Sequence, residues 1–284
     1  MTRNRTLTSI FTLAILLPVL AVTTGATARQ QQQFQPQVGQ EGKDVIWVPT
    51  PEEVVAAMLD MAKVTPNDYV IDLGSGDGRI VIAAAKRGAR ALGVEYNADM
   101  VQLSKDNAQK EGVSAKASFV QGDIFETDFS QATVVTMYLL PSLNMRLRPK
   151  ILEMKPGTRV ASHSFNMEDW EPDQTADVGG RTAYFWIVPA KVAGAWTWQT
   201  ASGNAELTLR QTFQKIEGSL RTGGKDLALK SAKLEGDRIT FAVGESQPTM
   251  QAYAGRVNGD TIEGTMKAGT NPDMKWTAQH HPSQ

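Results

Sequence analysis

The sequence predicts an α/β sheet with helices on both faces, followed by a small all-β antiparallel barrel or sandwich. Three observations carry this. Between residues 44 and 191, short apolar runs alternate with segments of helical periodicity. The first apolar run, Val70-Ile71-Asp72-Leu73, ends in the glycine-rich turn Gly74-Ser75-Gly76-Asp77-Gly78. From residue 192 onward the apolar period drops to two.

The first helix is signalled by Thr50-Pro51-Glu52-Glu53. Thr50 is placed to cap, Pro51 suits the first turn, and Glu53 completes a capping box. Val54, Val55, Met58, Leu59 and Met61 then form an apolar stripe at helical spacing. A buried strand is predicted over 69–73, a helix over 80–86, a strand over 91–96 and a helix over 98–110. A short strand over 118–121 and a β-branched strand over 133–139 come next. A helix over 142–154 stops at Pro156-Gly157, and strands over 158–164 and 182–188 complete the sheet. Strands separated by helices imply right-handed crossovers and a parallel sheet. In the last third, Leu207/Leu209, Ile239/Phe241/Val243 and Ile262/Met266 alternate with polar residues. Glu235-Gly236-Asp237 and Asn258-Gly259-Asp260 mark hairpins. About seven short strands are expected there, forming a stabilising or docking module, a cup for an apolar ligand or a substrate-presenting module.

Composition excludes several functions. The chain has 284 residues, 41% hydrophobic and 21% charged, so wholesale disorder is ruled out. A formal net charge of −1 gives no global attraction for nucleic acid or an anionic membrane. There is no cysteine, which removes disulfides, thiolate metal sites and a thiol nucleophile. With three histidines, His163, His280 and His281, no multi-histidine metal site is expected.

Residues 1–28 read as a signal peptide. Arg3 and Arg5 precede an apolar run from Ile10 to Val22, and Ala26-Thr27-Ala28 offers a cleavage site after Ala28. The run is shorter than the roughly 20 residues of a membrane span. Residues 29–43, rich in glutamine, read as a linker; 44–191 form the α/β domain and 192–284 the β module. The expected location is periplasmic or secreted, with no membrane span after leader removal.

Sheets of this class bind ligands beyond the carboxyl ends of their strands, where the strand order reverses. Asp72, Glu95, Asp123 and Tyr138 sit at strand ends. A dinucleotide fingerprint would place its third glycine where Arg79 stands, so a nicotinamide enzyme is disfavoured. Glycines at 74, 76 and 78 let backbone approach a ligand closely. A carboxylate at Glu95 can accept both hydroxyls of a ribose. Asp123 can take the amino group of an adenine, with Ile124 packing on the base.

This constellation resembles the class I S-adenosylmethionine-dependent methyltransferases, which use a Rossmann-like sheet. The matching residues are Val70 to Gly78, Glu95 within Gly93-Val94-Glu95-Tyr96, and Gly122-Asp123-Ile124. Val48-Pro49-Thr50-Pro51 and Tyr138-Leu139-Leu140-Pro141 are similar to a smaller group, the mitochondrial ATP synthase c-subunit lysine methyltransferases and their bacterial relatives. The resemblance spans residues 44–190. It implies S-adenosyl-L-methionine as cofactor, held by Thr50, Asp72, Gly74, Ser75, Gly76, Gly78, Glu95, Asp123 and Ile124. It implies Tyr138 and Pro141 at the reacting centre, no metal, and a protein lysine or small amine as acceptor rather than nucleic acid. His163 reads equally as a structural histidine or a base. The competing reading is a non-catalytic envelope protein whose α/β domain binds a nucleoside or scaffolds the β module; the leader favours it and the intact site residues disfavour it.

Overall fold

The structure, a computed structural model, describes residues 1, 2, 34–245 and 250–281. The predicted leader, its cleavage point and residues 29–33 of the glutamine tract lie outside the described residues. Phe34–Gln284 forms one compact unit.

Seven strands make a mixed sheet in the order β3-β2-β1-β4-β5-β7-β6. They are β1 (Tyr69–Leu73), β2 (Arg90–Glu95), β3 (Ala117–Gln121), β4 (Val134–Met137), β5 (Arg159–His163), β6 (Gln174–Val178) and β7 (Arg181–Ile187). The first five are parallel; β7 runs antiparallel to β5, and β6 to β7. The expected all-parallel sheet is therefore corrected at this edge. β6 escapes sequence reading because an exposed edge strand, Gln-Thr-Ala-Asp-Val, carries no apolar alternation.

Helices α1 (Glu52–Met61), α2 (Arg79–Lys86) and α3 (Ala98–Lys110) cover one face, and α4 (Pro141–Leu152) the other. The α1 stripe works as its spacing predicts: Val54, Met58 and Leu59 are fully buried. Each contributes about 1.5–3 kcal/mol of apolar burial. The predicted capping box does not form. The helix begins at Glu52 with Pro51 as N-cap and no side-chain cap, because the Thr50 hydroxyl is turned toward His163. Order reverses between β1 and β4, whose carboxyl ends leave a crevice above the glycine turn.

Nine strands form the second sheet, an antiparallel, nearly closed barrel in the order β11-β10-β9-β8-β16-β15-β14-β13-β12. They are β8 (Gly194–Thr200), β9 (Gly203–Thr212), β10 (Lys215–Thr222), β11 (Lys225–Ala228), β12 (Lys230–Glu235), β13 (Arg238–Val243), β14 (Gln251–Asn258), β15 (Thr261–Ala268) and β16 (Met274–His281). The expected seven become nine because β11 and β12 are mostly polar and nearly free of apolar alternation. Inside, Trp198, Phe241, Tyr253 and Trp276 pack ring to ring with centroids 4.7 to 6.1 Å apart.

The barrel is anchored on the α/β domain. At the β9–β10 turn, Phe213 stacks on Trp170, and Gln214 accepts from Trp170 Nε1 at 3.0 Å while donating to the Glu171 carbonyl at 2.7 Å. The Ala190 amide donates to the Gly236 carbonyl at 2.8 Å.

Candidate active site

The site grows from the carboxyl end of β1. Asp72 is 2% exposed, and Thr136 Oγ1, from the neighbouring β4, donates to its Oδ1 at 2.7 Å. Burial pushes the Asp72 carboxyl up to about 7; the Thr136 hydrogen bond opposes this, and the charges of Glu95 and Asp77 add to it. Among the described residues no basic side chain contributes to holding it ionised.

The turn after β1 is pinned from several sides. The amides of Gly74 and Ser75 donate to the Val94 carbonyl, Gly76 N–H donates to Glu95 Oε2 at 3.0 Å, and Ser104 Oγ donates to the Gly76 carbonyl at 2.8 Å. Gly76 has φ +54°, and a Cβ there would lie 2.7 Å from Trp47 Nε1. The other oxygen of Glu95 accepts from the Asn97 amide at 2.9 Å. A carboxylate has about four acceptor positions, so Glu95 retains capacity for two hydroxyls.

Asp123 follows β3. Its Oδ1 accepts from the Phe125 amide at 2.9 Å, and its Oδ2 is paired with the Lys43 ammonium. Lys43 and the Phe125 amide hold the carboxyl below the usual range. Lys43 also stands 5.1 Å from the centre of the Tyr96 ring. Lys43 thus occupies the acceptor that the sequence reading assigns to an adenine amino group.

Lys43 reaches Asp123 because residues 39–47 fold as a hairpin. Gly39 N–H donates to the Trp47 carbonyl, Trp47 N–H to that of Gln40, and Gly42 N–H to that of Val45. About half of this hairpin falls in the segment read as linker. It roofs a cavity whose empty volume is about 970 Å³, mouth included. Thr50, Asp72, Gly74, Ser75, Gly76, Glu95, Asp123, Ile124 and Tyr138 all line it.

Two predicted site residues stand apart from this cavity. Gly78 begins α2 with φ +83°, and a Cβ there would lie 2.7 Å from the Phe119 ring, so its smallness serves helix packing. Pro141 is the first residue of α4, a position where its missing N–H costs nothing. Sequence reasoning missed Lys43 and Trp47. The one available signal was the apolar run Val45-Ile46-Trp47-Val48 directly after a polar, glutamine-rich tract.

Tyr138 is half-buried. Its ring lies 3.9 Å from that of His163 and 6.1 Å from that of Phe165, centre to centre. His163 is fully buried and shares a 3.1 Å hydrogen bond with Thr50 through Nδ1. Burial, with the nearby Arg181 charge, pushes its pKa down to about 4. The ring is therefore neutral at pH 7; it stands between Tyr138 and Thr50, and its Nε2 is buried without a hydrogen-bond partner among the described residues. The Thr50 carbonyl accepts from Arg79, which also pairs with Asp77 of the glycine turn.

Comparison with known proteins fits this geometry. Residues 72–174 match the ANTKMT methyltransferase domain. A protein-lysine N-methyltransferase of Saccharolobus islandicus is 47% identical over 151 residues, 51% of this chain and 94% of that protein. The chain belongs to this class I methyltransferase family. The lysine N-methyltransferase of the ATP synthase c-subunit from Rattus norvegicus is 38% identical over 122 residues, with the match spanning 43% of this chain and 56% of the rat protein. A crystal structure described as an RNA methyltransferase from Salinibacter ruber, in complex with S-adenosyl-L-homocysteine, is 51% identical with a TM-score of 0.50. That match covers 51% of this chain and 96% of the other. The matched family domain ends at residue 174, before the barrel begins.

The residues present fit S-adenosylmethionine. Asp72 is a buried carboxylate without a cation, facing a cavity suited to a positively charged ligand. Glu95 retains acceptor capacity, and Glu95, Asp72 and the glycine turn line the same cavity.

Proposed function

We propose that this methyltransferase modifies lysine side chains of a protein, with S-adenosylmethionine as donor. The observation that carries this is the placement of Asp72, Glu95 and Tyr138 on one cavity in a chain 47% identical to a protein-lysine N-methyltransferase. The cofactor supplies a methyl group already activated on a sulfonium. The chain's own task is to hold, align and dry the reacting groups. Asp72 and Glu95 hold polar ends of the cofactor, and Ile124 and Tyr96 flank the base near Asp123. Tyr138, braced by His163 and Phe165, positions the acceptor amine. Poor solvation beside Tyr138 lowers the amine's pKa and favours the neutral, nucleophilic form. No nucleic acid partner is proposed.

Incubation of the purified protein with methyl-labelled cofactor, a lysine peptide array and structured RNA tests the reading. Label on lysine, located by mass spectrometry, is expected; label on RNA alone, or none on lysine, would overturn it.

We also propose that the chain is exported and cleaved after Ala28. The charged start, short apolar run and small residues at 26 and 28 support it. No described helix is long and apolar enough to cross a membrane. N-terminal sequencing of the native protein should begin at Arg29; a cytosolic species beginning at Met1 would contradict export.

A further inference from the structure

The hairpin that carries Lys43 over the cofactor cavity also walls a second one. This neighbour has an empty volume of about 1130 Å³, mouth included. Tyr138 and Leu139 line both cavities, so the two adjoin at the residue assigned to acceptor positioning. The second cavity is walled by Val45 of the hairpin and Val48 just after it, and by Leu139 and Phe165. Two further lining residues, Ile46 and Leu140, are large aliphatic side chains that are 57% and 44% exposed. A single exposed aliphatic residue is ordinary, but two on one mouth make an apolar lip.

Charge at this mouth is negative on balance. Glu41 and Asp44 line it together with Lys43, and all three also line the cofactor cavity, where the two spaces join. The hairpin's cation, Lys43, is committed to Asp123, with Asp44 at 3.9 Å from its ammonium. Glu41 has no ionic partner among the described residues. A cationic side chain is attracted to such a mouth and a phosphate backbone is repelled.

We infer that this second cavity is the entry channel for the acceptor lysine, that Glu41 and Asp44 draw in its ammonium, and that Ile46 and Leu140 select a lysine flanked by apolar residues. The inference rests on the protein-lysine reading above. Its physical sequence is simple. The carboxylates attract the cation while it is still hydrated. The rings of Tyr138 and Phe165 then offer it π faces. The aliphatic walls strip water and lower its pKa before it reaches the cofactor cavity.

The test uses the full chain saturated with S-adenosylhomocysteine, so that binding is read without turnover. Three blocked peptides are titrated by calorimetry: Leu-Ala-Lys-Ala-Leu, the same peptide with norleucine for lysine, and Glu-Ala-Lys-Ala-Glu. The lysine peptide should bind wild type about fivefold tighter than the norleucine peptide, the scale of a unit-charge attraction across a wet surface. That ratio should collapse toward one in the Glu41→Gln/Asp44→Asn variant. Preference for leucine over glutamate flanks should shrink in Ile46→Ser/Leu140→Ser. These four positions are exposed or on the rim, and comparing peptides on the same variant cancels any general loosening of the hairpin. No lysine advantage in wild type, or an advantage unchanged in the double charge variant, overturns the channel. Failure of S-adenosylhomocysteine to bind at all overturns the functional reading itself, so the two failures are distinct.

Discussion

The α/β sheet and the barrel treat buried polar groups in opposite ways. The sheet buries Asp72 at its switch point without a cation, and the carboxyl titrates near pH 7. The barrel buries Tyr253 among other rings, where burial pushes its phenol up to about 12 and keeps it neutral at every physiological pH. One region keeps an unresolved charge that a ligand can satisfy; the other keeps its buried phenol neutral, and the buried polar atom it leaves without a partner among the described residues, Trp276 Nε1, is uncharged. Functional sites are places where local stability is given up, and this contrast agrees with the cavity and the family match in placing the chemistry in the α/β domain.

The largest expected effect removes that unresolved charge. Asp72→Asn should weaken S-adenosylmethionine binding at least 100-fold, the order of about 3 kcal/mol found when one partner of a buried ionic pair is lost. In the cofactor-free protein the same change should raise the melting temperature at pH 8. The folded Asp72 pKa, about 7, lies above the ordinary 3.8. Its stabilising contribution is therefore complete below pH 3.8 and lost as pH rises through 7. His163 has the opposite sign. Its folded pKa of about 4 lies below 6.5, so its contribution is present above pH 6.5 and lost as pH falls through 4. Thermal melts of Asp72→Asn and His163→Phe across pH 4–8 should show slopes that change in opposite directions. Matching curves would erase the contrast.

Next comes the glycine turn. Gly76→Val puts a branched side chain at φ +54° against Trp47. It should abolish calorimetric binding of cofactor while circular dichroism of the barrel is retained. Glu95→Ala should cost about 1–3 kcal/mol of affinity, as for charge-assisted hydrogen bonds. A change of a few tenths would reject the ribose assignment.

The barrel should matter to stability more than to binding. All cavity residues precede residue 144, yet Trp170 loses its Phe213 and Gln214 contacts in a chain ending at Val192. Such a truncation should keep cofactor affinity and melt at lower temperature than the full chain. Loss of binding in a folded truncation would show that the barrel completes the site. The smallest effect belongs to Lys43→Ala. Freeing Asp123 from an exposed ion pair should tighten cofactor binding a few-fold. Weaker binding would mean that Lys43 assists the cofactor instead of competing with it.

Much of the fold and site is legible in the chain. Asp72 and Glu95 follow apolar runs directly, and a polar residue at the end of a buried strand has few other reasons to be there; Asp123 stands two residues beyond β3, after Gln121-Gly122. The barrel shows itself where strands such as Ile239-Thr240-Phe241 alternate, but not where β11 and β12 are polar. Thr50 looks like a cap because local sequence favours one; its hydroxyl instead pairs with His163, 113 residues away. Lys43 is invisible for the same reason, since its partner Asp123 is 80 residues distant. Gly78 matches the motif yet serves the packing of α2 on Phe119. What local patterns miss is any contact decided by the assembled fold.

Calorimetric titration of S-adenosylmethionine into the full chain at two pH values tests the central claim most directly. If Asp72 is the carboxylate that meets the cofactor's positive charge, a pKa of about 7 makes binding about tenfold weaker at pH 6 than at pH 8, and Asp72→Asn removes that dependence. No binding at pH 8, or equal affinity in wild type and Asp72→Asn, would contradict this role for Asp72.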